Sequence, residues 1–195
     1  MAHKTRDLLV KQRTMLVNCL RGLAHFRDQL VAVETLIGQL QRLDEAIADL
    51  TRKIIKAQQN NGLVRLLKAI PGIGDLSASL IAATVADPHM FQSGRDFSAW
   101  LGLTPRQNST GGKTKLLGIS KKGNHGLRRL LFLGALTLLR VAHRHTGALG
   151  DWLRALKARK CAKVVAIAVA NKLARIIWAM MTRGETFRAA AFARA

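Results

Sequence analysis

Acidic residues are what this 195-residue chain has least of: 11 Asp and Glu stand against 32 Lys and Arg, giving a formal net charge of +21. The shortage is uneven, because no Asp or Glu occurs between positions 97 and 150. A balance so lopsided does not suit an ordinary cytosolic enzyme. Since 49% of the residues are hydrophobic, it is not the charge of a disordered chain either. What remains is a folded basic protein facing nucleic acid or an anionic membrane. Long apolar runs are also missing: 76–86 and 130–139 are too short to span a bilayer, and 163–181 is interrupted by Asn171, Lys172 and Arg175. The first twenty residues have charges throughout and no apolar core before a cleavage site, which excludes a secretory signal. The two cysteines, Cys19 and Cys161, lie far apart without CxxC spacing, so they read as free thiols in a reducing compartment. A cytoplasmic protein with no membrane segment is the expectation.

Metal ligands are scarce as well. His143 and His145 with Cys161 do not make a zinc set, since alternate residues of a helix point in different directions. The acids are scattered, and only Asp44 with Glu45 or Asp49 forms any cluster, on the polar side of a helix. A divalent-metal site needs several converging carboxylates. No metal or other cofactor is therefore expected on this chain.

What is present is helical periodicity. Its length allows one compact domain plus an extension. Leu9, Leu16, Leu23 and Leu30 recur with Leu20 between them, and Val33, Leu36, Leu40, Leu43, Ile47, Leu50 and Ile54 then alternate steps of three and four, a heptad seam. The two sets are out of phase between Leu30 and Val33, so a kink or turn is expected there, in a region that Gly38 weakens further. The spacing suits a coiled-coil-like arm over 1–61 that either packs on the rest of the chain or pairs with a second copy. Residues 62–188 form the compact helical domain in this reading, and 189–195 a tail. Within it, 66–81 fits a helix-hairpin-helix: Pro71 stops one short helix, Gly72 and Gly74 shape the turn, and amides at the start of the next helix face a phosphate. Further helices are expected at 95–101, at 125–140 behind an Asn124 cap, from Asp151, and at 163–182 with Gly184 as the stop. In the last of these, Val164, Ile167, Ala168, Leu173, Ile176, Ile177 and Met180 mark the core stripe, with Lys172 off it. Residues 143–150 read as a break. The fold class is all-α, and only around 113–119 does the pattern leave room for a hairpin.

The chain is organised around 105–129, PRQNSTGGKTKLLGISKKGNHGLRR. Gly111, Gly112, Gly118 and Gly123 let backbone approach a phosphate, Ser109 adds a hydroxyl, and Arg106, Lys113, Lys115, Lys121, Lys122, Arg128 and Arg129 supply cations. A plain surface loop uses the same small residues, and what sets this one apart is the acid-free surroundings. A serine attacking a phosphodiester wants a neighbouring base. No carboxylate is near in sequence and His125 is the sole nearby imidazole, whereas Arg106, Lys113 and Lys115 are placed to stabilise an alkoxide or phosphate charge.

The heptad arm, IPGIGDLSASLIA, the block GRDFSAWLGLTPRQNSTGGKTKLLGISKKGNHGLRRLL and VAIAVANKLARIIWAMMTRGE together resemble the C-terminal half of insertion-sequence 110 family transposases, the 116/110/902 group, over most of residues 4–185. The resemblance implies DNA transposition or site-specific recombination through a serine nucleophile, at the position of Ser109. It also implies a guide-type RNA made by the element as partner, and a divalent metal held by an N-terminal RNase-H-like domain that these residues do not include. A truncated form, inactive alone, is the corresponding expectation. A non-catalytic helix-hairpin-helix module that only binds nucleic acid is the alternative.

Overall fold

The computed structural model describes residues 1–23, 30–110 and 113–188. The chain divides into two units, Met1–Gln59 and Asn60–Ala195. In the first, α1 (Ala2–Leu23) and α2 (Leu30–Ala57) lie against each other. Arg6 Nε donates to Thr51 Oγ1 at 2.7 Å, and Arg13 pairs with Asp44. Partner numbers fall on one helix as they rise on the other, so the two run antiparallel. The phase change of the heptads marks a real break, yet not where it was expected: α2 is helical straight through Val33 and Gly38. Helix α1 ends at Leu23 and α2 begins at Leu30, and residues 24–29 lie outside the described residues. Leu9, Leu16 and Leu20 face the α2 seam half-buried, and Ile54 alone among the described residues of this unit is buried.

The second unit is built on α8 (Ala162–Arg183), against which α3 (Gly62–Lys68), α5 (Gly94–Trp100), α6 (His125–Arg140) and α7 (Gly147–Arg159) pack, while α4 (Asp75–Thr84) bridges α3 and α6. Side-chain caps define the helix starts: Asn61 accepts from the Leu63 and Val64 amides, Ser93 from Asp96, and Asn124 from Leu127 at 3.0 Å. Gly184, at φ 64°, ends α8 in the left-handed region. Phe97, Leu101, Leu127, Leu131, Leu173 and Ile177 are fully buried, and Phe97 meets Phe91 edge-on at 5.1 Å and stacks on Trp100.

Three expectations need correction. The core stripe of α8 is wider and rotated: Val165, Ala166, Val169, Ala170 and Ala174 are buried with Leu173, Ile176 and Ile177, while Val164 is exposed. Alanines four residues apart let neighbouring helices approach on more than one side, and so Lys172, placed off the stripe, is only 5% exposed. The break at 143–150 is shorter than expected, since a single 3-10 turn at Ala142–Arg144 leads into α7 at Gly147. Last, the glycine-rich loop is partly strand: β1 (Pro105–Thr110) and β2 (Lys113–Ile119) form an antiparallel hairpin, the only strands among the described residues of a predominantly helical fold. By length and hydropathy α8 is long and apolar enough to cross a membrane, but more than half of its apolar window is buried, as in a core helix.

Candidate nucleic-acid interface

In the hairpin ladder Ser109 pairs with Thr114, Asn108 with Lys115 and Thr110 with Lys113, and the register is irregular between Pro105 and Gln107. Successive strand residues point to opposite faces. Lys113 and Lys115 therefore lie on the face away from Ser109, which corrects the expectation that they flank its hydroxyl. The residue that does reach Ser109 is Gln107, two positions earlier on the same face, whose Nε2 donates to Ser109 Oγ at 2.9 Å. An amide donor stabilises developing charge on that oxygen but takes no proton from it. The i, i+2 spacing of QNS carried this signal in the sequence. Arg106, Ser109, Lys113 and Lys115 are all exposed. Gly111 and Gly112 lie outside the described residues.

Behind the hairpin, residues 120–123 fold back over the end of α5. Ser120 N donates to Thr104 O at 2.9 Å and Lys121 N to Gly102 O at 3.2 Å. Gly123, at φ 90°, packs so closely that a Cβ would stand 1.8 Å from the Trp100 carbonyl oxygen, and a Cβ on Gly102 would stand 2.0 Å from that of Lys122. Arg128 fastens the same fold, its Nη1 donating to the carbonyls of Leu101 at 2.8 Å and Lys122 at 3.2 Å. Its first task is thus structural, and Arg129 is likewise engaged within the chain. Lys121 and Lys122 stay exposed, Lys121 at the left-handed φ of 57°. His125 opens α6, exposed. Among the described residues, Arg106, Lys113, Lys115, Lys121 and Lys122 have no carboxylate partner, whereas Lys68 pairs with Asp75 and Arg154 with Asp151.

The turn between α3 and α4 has the expected outline, with Pro71 after the first helix and Gly72 at φ 86°. Gly72 faces inward: a Cβ there would lie 2.9 Å from the Gly134 carbonyl oxygen of α6, which gives this glycine a packing role. Gly74 caps α4 without a side-chain bond, and Asp75 of the first turn pairs with Lys68. That carboxylate already occupies the positive end of α4, where a phosphate would sit.

Residues 64–149 match the family model described as Transposase IS116/IS110/IS902 family. Over 95% of its length the chain is 39% identical to a protein of Pseudomonas aeruginosa described as "Probable family 20 transposase", of which it covers 64%. It is 38% identical over 96% of its length to the transposase for insertion sequence element IS1111A of Coxiella burnetii, covering 59% of that protein. Against the transposase for insertion sequence element IS1328 of Yersinia enterocolitica it is 36% identical over 95% of its length, covering 63%. The chain thus spans less than two thirds of the length of these curated relatives. With the match centred on the α3–α4 turn, the hairpin and α6, the chain belongs to the IS116/IS110/IS902 transposase family.

Proposed function

We propose that this chain is the DNA-gripping and strand-exchanging part of a transposase, with Ser109 as nucleophile. The observation that carries this reading is the hairpin: an exposed serine accepting a hydrogen bond from Gln107, on a ribbon with five exposed cations in and behind it and no carboxylate in its stretch of sequence. No tyrosine occurs in these 195 residues, so a tyrosine of this chain is not the nucleophile. In the proposed step Ser109 Oγ bonds to the scissile phosphorus while the bond from phosphorus to one deoxyribose oxygen breaks. That oxygen takes up a proton, and the ester to serine persists until a deoxyribose hydroxyl of another strand displaces Oγ. The Ser109 proton needs an acceptor, and the departing oxygen charge stabilisation. This chain's described residues gather no carboxylate cluster for either task; an RNase-H-like domain acting with it would hold a divalent metal on its own carboxylates and would supply both, and a structured RNA of the element would direct the choice of DNA site.

The arm fits pairing with a second copy, since the α1–α2 hairpin leaves Leu8, Met15, Val31 and Ile37 exposed. As for the α3–α4 turn, the inward Gly72 and the paired Asp75 make it a weaker phosphate site than the hairpin.

The test combines the chain with donor DNA, the element's RNA and magnesium, with and without an RNase-H-like domain, and resolves covalent protein–DNA adducts on a denaturing gel. Adducts are expected only with the added domain, and none with Ser109→Ala. Adducts that survive the alanine substitution would overturn the assignment of Ser109. Tight binding with no adduct under any condition would favour the non-catalytic helix-hairpin-helix alternative.

A further inference from the structure

A second cationic feature lies on different elements from the hairpin. Between the start of α5 and the C-terminal half of α8 is a cavity of about 760 Å³, within the range of about 300–1,000 Å³ usual for small-ligand sites. Arg95, Lys172, Arg175, Arg183 and Arg188 line it, and Glu185 is the sole acid among its lining residues. Among the described residues Arg95, Arg175 and Arg183 form no ion pair with a carboxylate. The floor is apolar, with Ile176 buried beside Trp178, whose indole is fixed by donation from Nε1 to the Pro88 carbonyl at 3.1 Å. Gly94 lets α5 close on α8 here, for a Cβ at that position would press within 3.2 Å of the Arg175 Cα.

We propose that this cavity binds an unpaired nucleotide, its phosphate against Arg95, Arg175 and Arg183 and its base against Trp178. A duplex is too broad to enter a space of this volume, and a bare inorganic anion would leave the apolar floor uncovered. A single nucleotide meets both walls: aromatic faces stack bases without regard to sequence, and guanidinium groups take phosphate oxygens in pairs. The crowding of like charges points the same way. Burial, and next to it the Arg175 charge, hold the Lys172 ammonium below its ordinary pKa, a cost that a bound anion relieves. The proposal goes beyond the hairpin reading, as none of its residues belongs to 105–129.

Arg95 and Arg183 are exposed, so Arg95→Glu with Arg183→Glu alters the cavity mouth without touching the core. The full chain and this variant would be titrated with labelled oligothymidylate, oligouridylate and a duplex. A second variant, Arg140→Glu with Lys157→Glu, changes net charge equally at exposed positions outside the cavity. Loss of about tenfold or more in single-strand affinity, beyond any loss for the duplex and absent in the charge-matched variant, is expected. A selective loss for thymidylate would identify DNA as the source, and one for uridylate the RNA. Equal losses for single strand and duplex, equal losses in the two variants, or no loss would overturn the proposal. Failure of the hairpin reading would show separately, as duplex binding that is indifferent to Lys113→Glu with Lys115→Glu.

Discussion

At the scale of single residues, the glycines of the central stretch act on the protein before they act on any ligand. Gly123 was expected to bring backbone close to a phosphate; what its missing side chain admits is the Trp100 carbonyl. Gly123→Ala would face both a left-handed φ and a collision with backbone oxygen, and should destabilise the fold by about 2–5 kcal/mol, the sum of roughly 1–2 for the conformation and 1–3 for overpacking. Urea unfolding followed by circular dichroism measures this, and a loss below about 1 kcal/mol would mean that the 120–123 fold is looser than it looks. Gly72 belongs to the same class, so that a valine there should cost folding before it costs binding. Asn124→Ala, by contrast, removes only one cap bond and should cost about 1 kcal/mol. Sequence showed the identity of these residues but not their neighbours. Arg128 reads as one more cation in SKKGNHGLRR, and only the approach of the end of α5, 27 residues earlier, turns it into a clasp on the Leu101 carbonyl.

Helices with strong periodicity and a cap were legible in the sequence: α6 starts behind Asn124 and ends at Arg140 as expected, and α8 stops at Gly184. The hairpin was nearly invisible. Its strands carry Pro, Asn, Lys and Gly, poor strand formers, and both faces are largely exposed, so no apolar alternation marks them. Its register nonetheless separates two tasks, with Ser109 and Gln107 on one face and Lys113 and Lys115 on the other. Lys113→Glu with Lys115→Glu should therefore lower duplex affinity at least about tenfold, while leaving the Gln107–Ser109 contact in place. Gln107→Leu is the reciprocal change: binding should hold, and adduct formation in the presence of the RNase-H-like domain should slow by about tenfold or more as the oxygen loses its donor. Parallel loss of binding and adduct in both variants would mean that the ribbon acts as one undivided surface.

For the whole molecule the decisive quantity is the count of cations free to meet phosphate. The chain carries +21, but Arg13, Lys68 and Arg154 are paired with carboxylates and Arg128 is held by carbonyls. In and behind the hairpin, Arg106, Lys113, Lys115, Lys121 and Lys122 remain exposed and without a carboxylate partner among the described residues. If these five each displace a counterion from duplex DNA, the logarithm of the binding constant should fall with the logarithm of salt concentration at a slope of about −4.5, from about −0.9 per phosphate contact. Affinity would then drop roughly 500-fold between 50 and 200 mM salt, a fourfold change raised to that slope. The double hairpin substitution removes two of the five contacts and should shallow the slope by about 1.8. Anisotropy titrations at four salt concentrations read both values. A parental slope nearer −1 would mean that the exposed cations do not track one backbone, and an unchanged slope in the hairpin variant would move the phosphate contacts to another face of the molecule.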